Sequence, residues 1–412
     1  MPSQHRYSLL SIALMGVLIS GCNESTSSDA GADYGNQDNT SSDFDQQALI
    51  ENLVDGVITP TFEHFVSVSE QQITDINNYC TAASDYEQDT SDSSALTQAS
   101  TNAKNSWSNT MSVWQQVEMM QLGPLLNDDG ALRNKIYSWP VISRCGVDLD
   151  IVSFENNDIN GVPYDIASRT PARKGLDAIE YLLFNQSFEH SCSGSVTPAG
   201  WDNRTDNNRR VARCEFANEV ARDINYNAQQ LLSQWSGPQG YGTTLKQAGE
   251  TGSRFDTVHE AVNKLSDALF YIDSVTKDGK LATPLGLFAN SCGTSVCAQD
   301  VESPLANHSI ENITSNLEAL DALYTGKEGL GFDDYLIDEN DTATAQALGE
   351  RITTALANSR SYQTSLAESL VADESKVLAT HNDVKAVTDK LKNEFINTLA
   401  LELPQTSAGD ND

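Results

Sequence analysis

An all-α fold is what this 412-residue sequence predicts, and three observations predict it. Long stretches carry apolar residues at three- and four-residue spacing, clearest in Val211, Cys214, Ala217, Val220, Ile224, Ala228, Leu231 and Trp235, which stripe one helix face. No run of strand length alternates apolar with polar residues. Connections are short and marked by Gly, Pro, Asn and Asp, so neighbouring helices fold back on one another as antiparallel bundles.

At the start of the chain, His5 and Arg6 precede an apolar run from Leu9 to Ile19. It is too short to span a membrane and suits the core of a secretory signal. The run closes on Leu18-Ile19-Ser20-Gly21-Cys22, the pattern of a bacterial lipobox. Residues 1–21 are therefore expected to be a lipoprotein signal peptide, and cleavage would leave Cys22 as the lipidated N-terminus, anchoring the chain to a membrane. Asn23 follows rather than Asp, which by resemblance to sorted lipoproteins points to the outer membrane and a periplasm-facing protein of the cell envelope. Residues 22–46 are mostly Ser, Asp, Asn and Gly with no Lys or Arg. Such a segment has too little apolar surface to order itself and reads as a flexible tether.

The rest divides into two helical bundles, residues 47–240 and 241–412, each long enough to bury a core. Leu49, Leu53 and Val57 open the first helix, Pro60 is expected to kink it, and Val66, Ile73 and Ile76 carry it toward Cys80. A second helix runs from Ser94 to Leu122 and stops at Gly123-Pro124, and the striped helix over 211–235 completes this half. The Gly-, Ser- and Thr-rich segment 236–253 marks the boundary. Beyond it, helices are expected over 255–275, 310–324, 343–372 and 374–403, with a turn at Asp278-Gly279.

Charge and cysteines narrow the function. Removing residues 1–21 takes away one of 25 basic residues and none of 58 acidic ones, moving the net charge from −33 to −34. A surface so acidic repels nucleic acid and anionic head groups, which excludes nucleic acid as a partner. Besides Cys22 there are six cysteines, an even number in an exported chain, and three disulfides are expected. Partners nearest in chain order give Cys80–Cys145, Cys192–Cys214 and Cys292–Cys297. No C-x-x-C spacing supports a zinc cluster.

One stretch, Arg173 to Phe184, carries the chemistry. Leu176, Ile179 and Leu183 form an apolar helix stripe, and Asp177 and Glu180 share the stripe beside it, one turn apart. Two readings stand open. In one, Asp177 is an N-cap and Glu180 closes a capping box. In the other, the helix starts earlier and both carboxylates face a cleft, where they bind a cation or act as acid and base.

Gly175-x-Asp177-x-x-Glu180 resembles the G-x-H-x-x-E signature of the imelysin family, also called the M75 peptidase family, with Asp in place of His. Further matching segments follow in order: Trp114-Gln115-Gln116-Val117-Glu118, Tyr137-Ser138-Trp139-Pro140, Cys145-Gly146-Val147-Asp148, Phe270-Tyr271-Ile272-Asp273, Lys280, Glu302-Ser303-Pro304 and Asn316-Leu317. The resemblance implies two bundles related as a pseudo-repeat with the site between them. It implies an envelope protein linked to iron or other metal uptake, with iron-uptake proteins as partners, or else a metallopeptidase. A structural envelope module without ligand is the remaining alternative.

The candidate site is carboxylate-rich: Asp177, Glu180, Glu118 and Asp148, with Arg144, Arg173 and Lys174 to balance charge and Trp139 beside them. Oxygen donors without His or Cys suit hard cations such as ferric iron, calcium or magnesium. His259-Glu260-Ala261-Val262-Asn263 lacks the second His of a zincin helix, and His308-Ser309-Ile310-Glu311 reads as a helix start. Residues 338–350 lack the Gly and the final Glu of a calcium-binding EF-hand loop, and no nucleophile elbow or phosphate-binding loop is present.

Overall fold

The computed structural model of the chain describes residues 44–404 and residue 407. The expected signal peptide, Cys22 and the expected tether through residue 43 lie outside the described residues. Phe44 already stacks on Tyr335 at 4.5 Å, and Asp45 caps the first helix by accepting from the Ala48 N–H at 2.9 Å. Residues 44–46 therefore belong to the folded body rather than to the tether.

Helix α1 (Gln46–Asn52) passes through a π-helical turn, Leu53–Ile58, into the long α2 (Thr59–Gln88). Pro60 sits near the start of α2 and does not break the rod. A proline has no N–H to donate back, and the chain absorbs that gap in the widened turn just before it. Five residues later α3 (Ser94–Met119) returns along α2. The shorter α4 (Asn127–Ile136), α5 (Arg144–Glu155) and α6 (Leu176–Phe184) follow, and α7 (Asp206–Ser236) packs its striped face on α2. Thr205 starts α7 by accepting from the Asn208 N–H at 3.2 Å.

The expected boundary segment contains a short helix, α8 (Tyr241–Lys246), and α9 (Val258–Asp267) follows. No turn forms at Asp278-Gly279; both residues lie within a π-helical stretch, Ile272–Ala282, that runs into α10 (Thr283–Leu285). After α11 (Ser309–Thr325) and α12 (Phe332–Asp338), the expected helix over 343–372 is two helices, α13 (Thr342–Ser359) and α14 (Leu366–Ala372). Ser365 and Glu368 form a capping box that starts α14 afresh, a signal legible as S-x-x-E. Helix α15 (Glu374–Lys390) then packs on α13 and on the π-helical stretch.

Helix α11 lies against α3, and α9 against α1, so helices from both halves share one apolar core running from Leu49 to Leu401. No strand or sheet occurs among the described residues; isolated bridges pair Ile159 with Val162 and Asn290 with Gly293. None of the described helices is long and apolar enough to cross a membrane.

The disulfides correct two of the three expected pairings. Cys80 pairs with Cys214, and Cys145 with Cys192, in place of Cys80–Cys145 and Cys192–Cys214; Cys292 pairs with Cys297 as expected. The physical reason is helix packing. Cys80 on α2 and Cys214 on α7 come to a Cα separation of 5.3 Å although 134 residues apart in sequence, so adjacency in space overrides nearness in the chain.

Candidate functional site

Helix α6 begins at a glycine for a steric reason. Gly175 is the N-cap with φ of 91°, and a Cβ there would stand 2.8 Å from the carbonyl oxygen of Ile136. The capping-box reading therefore fails: Asp177 lies inside the helix rather than at its N-cap, and its Oδ1 accepts from the Ala178 N–H at 3.0 Å rather than from the N–H of Glu180. Instead Asp177 Oδ2 accepts from Ser138 Oγ at 2.9 Å, while Glu180 Oε1 accepts from the N–H groups of Leu305 and Ala306 at 2.8 and 2.9 Å. Glu180 thus ties α6, in the first half, to the loop that leads into α11.

Both carboxyls line a cleft of about 640 Å³ between the two halves. The first half contributes Tyr137, Trp139, Ile142 and Arg144, and the second contributes Val275, Gly279, Val301, Ser303, Pro304 and Leu305. Gly279 faces the Trp139 ring closely: a Cβ there would lie 3.2 Å from it, tighter than ordinary contact. Asp177 and Glu180 are 5% and 6% exposed, and neither forms an ion pair with a described residue. Burial pushes each carboxyl up to about 7, against the opposing pull of the Ser138 hydroxyl on Asp177 and of the Ala306 and Leu305 amides on Glu180.

The other candidates divide. Trp139 and Arg144 line the cleft, and the Arg144 charge favours ionised Glu180. Glu118 is buried and paired with Arg133 at 2.7 Å; it is Arg133 that reaches the cleft wall. Asp148 is sequestered, accepting from Tyr181 Oη at 2.9 Å and from the N–H and hydroxyl of Ser191 at 2.7 and 2.8 Å. Arg173 pairs with Asp150 at 2.8 Å and buried Lys174 with Asp223 at 2.9 Å, so neither balances charge at the cleft. The four carboxylates do not form one cluster. Among the described residues, no three His, Cys, Asp or Glu side chains come together in a way that could hold a metal ion. A resident zinc of the catalytic kind, with three protein ligands, does not fit this donor set.

Behind the wall lies a buried polar network that sequence reasoning did not assemble. Glu302 accepts from Tyr137 Oη at 2.8 Å and from Gln115 Nε2 at 3.1 Å, and pairs with Lys280 Nζ at 3.1 Å. Lys280 also donates to Gln115 Oε1 and, at 2.9 Å, to Asn316 Oδ1. Its signal was present: Gln115, Tyr137, Lys280, Glu302 and Asn316 all stand in the segments that carry the family resemblance. Burial and the Glu302 and Asp177 charges push the Tyr137 phenol well up, so it stays a protonated donor.

The fold and site define an all-helical protein with a solvent-reachable cleft where its two halves meet, walled by apolar side chains around a pair of buried carboxyls. The chain belongs to the imelysin family, Peptidase M75, whose sequence model matches residues 58–395. Solved structures that share the fold include two that cover most of the chain. One, from Parabacteroides distasonis ATCC 8503, is described as a "putative iron-regulated protein A precursor"; it is 15% identical, with a TM-score of 0.59, covering 86% of this chain and 94% of that one. The other, an imelysin-like protein from Psychrobacter arcticum 273-4, is 14% identical with a TM-score of 0.57, covering 87% and 96%. No curated protein matches the chain.

Proposed function

We propose that this protein is a binding component of the cell envelope, linked to the capture of iron or another hard metal cation as cargo, with Asp177 and Glu180 supplying oxygen ligands from the cleft. One observation carries the reading: two buried carboxyls held on one cleft wall, each fixed by hydrogen bonds and neither in an ion pair with a described residue. A buried carboxylate pair with no ion-pair partner, and only the more distant Arg144 charge acting on Glu180, is costly and takes up either protons or a cation. Two anionic oxygen donors suit a hard ion whose remaining positions are filled by other oxygens. The description of the Parabacteroides neighbour as iron-regulated agrees with a role in metal supply. Anchoring through a lipid on Cys22 would hold the cleft at the membrane surface, within reach of uptake proteins.

Hydrolysis of peptides is less well supported, because the donor set cannot supply the three ligands and open position of a catalytic zinc. Calorimetric titration with terbium(III), a hard oxygen-seeking cation of calcium's size, tests the proposal. Asp177→Asn and Glu180→Gln are each expected to weaken binding at least tenfold while thermal unfolding changes by a few degrees at most. Asp177→His, which restores the family signature, is expected to shift preference toward zinc, since imidazole suits softer ions. Equal terbium affinity in wild type and both neutralised variants would refute the site.

A further inference from the structure

We infer that the cleft takes its cation as a chelate, a hard metal ion already held by an organic acid with an apolar, ring-bearing body. The inference rests on the binding function proposed above and names the class of ligand. Three observations support it.

The first is size. Six waters around a hydrated ion occupy on the order of 180 Å³, at roughly 30 Å³ each. The cleft is more than three times larger, about 640 Å³, which is the range of small-molecule sites. The second is the walls. Trp139, Ile142, Val275, Val301, Pro304 and Leu305 present apolar surface to the space, and Gly279 leaves the Trp139 ring uncovered on its side of the gap. Apolar walls around a naked hydrated ion would hold ordered water against hydrocarbon, and an apolar ligand body displaces it. The third is the donor count. Asp177 and Glu180 satisfy two positions of a six- to eight-coordinate ion, and no further His, Cys, Asp or Glu among the described residues joins them as a third ligand. Asp300, also on the wall, accepts from the N–H and hydroxyl of Ser291 at 2.7 and 2.6 Å, and the remaining lining oxygens are uncharged, so further anionic donors come from the ligand. Arg144, exposed on the cleft wall, offers a planar fork matched to a ligand carboxylate, and unlike Arg133 it is not engaged by Glu118.

The test uses the full mature chain and four probes: terbium(III) alone, its one-to-one complex with pyridine-2,6-dicarboxylate, its one-to-one complex with oxydiacetate, and pyridine-2,6-dicarboxylate alone. Both chelators are tridentate dicarboxylates, and only the first carries a ring. The aromatic complex is expected to bind at least tenfold tighter than the aliphatic one and than bare terbium. Trp139→Ala should erase that difference and Trp139→Phe should keep most of it, which separates ring contact from loss of fold. Arg144→Gln should weaken both complexes severalfold more than it changes the affinity for bare terbium, which it touches only through the charge of Glu180. Equal affinities for bare and chelated terbium, with Trp139→Ala silent, would overturn this inference and leave the cation site standing. Binding of the ring acid without metal as tightly as with it would also overturn it. If no form of terbium binds in a way that depends on Asp177 and Glu180, the proposed function itself falls.

Discussion

His308 shows what a single half-buried side chain does when it joins the two halves. At the N-cap of α11, its Nε2 lies 2.9 Å from Ser112 Oγ and its ring meets Trp107 edge to face at 5.7 Å. Burial lowers its proton affinity to a value of about 4. The unfolded chain, with an ordinary imidazole, therefore binds a proton more readily than the folded one between about pH 6.5 and 4, and stability falls as pH drops through that window. At pH 5 the loss relative to pH 7 from this group is roughly 2 kcal/mol. His308→Gln should remove it, so the acid-side drop in thermal midpoint should shrink in the variant; parallel pH profiles would contradict the assignment. Residue identities at the cleft were only partly legible. Asp177, Glu180, Arg144 and Trp139 stood out through residue type and the family resemblance, whereas Asp148 and Lys174 looked the same in sequence and are committed to Ser191, Tyr181 and Asp223. A buried ion pair and a ligand-facing carboxylate use the same residue types, and only tertiary packing separates them.

At the level of elements, the π-helical stretch Ile272–Ala282 sets the second wall of the cleft. It carries Val275 and Gly279 into the space and sends Lys280 to Glu302 and Asn316 behind it. Helical period was readable over 255–275, but the wider π register was not, because apolar spacing alone does not separate 3.6 residues per turn from a locally larger turn, and Asp278-Gly279 mimics a turn signal. The buried Lys280 and Glu302 pair holds this stretch to the loop before α11. Lys280→Met strands a buried carboxylate and should cost about 3–5 kcal/mol by thermal or denaturant unfolding. Glu302→Gln added to it should cost less than the sum of the single changes by at least about 1 kcal/mol, since the two groups share one network. Additive losses would show that the two side chains do not act together.

On the scale of the whole molecule, helix period and short connections were enough to read the all-α class, because a helix records its buried face in local spacing. The partners of Cys80 and Cys145 were not readable, since α2 meets α7 across 134 residues of chain and no local pattern encodes that approach. The cleft was out of reach for the same reason: Glu180 and the Leu305 and Ala306 amides it engages are more than a hundred residues apart. That long-range contact brings the carboxyl pair, Arg144 and the apolar walls around one space, and the proposed capture of a cation depends on it. The most direct measurement is the anomalous scattering of a crystal of residues 44–412 grown with terbium(III). A single strong peak at about 2.3–2.6 Å from carboxylate oxygens of both Asp177 and Glu180 is the expected result. A crystal with those carboxylates free of metal and terbium bound only at the acidic exterior would contradict it.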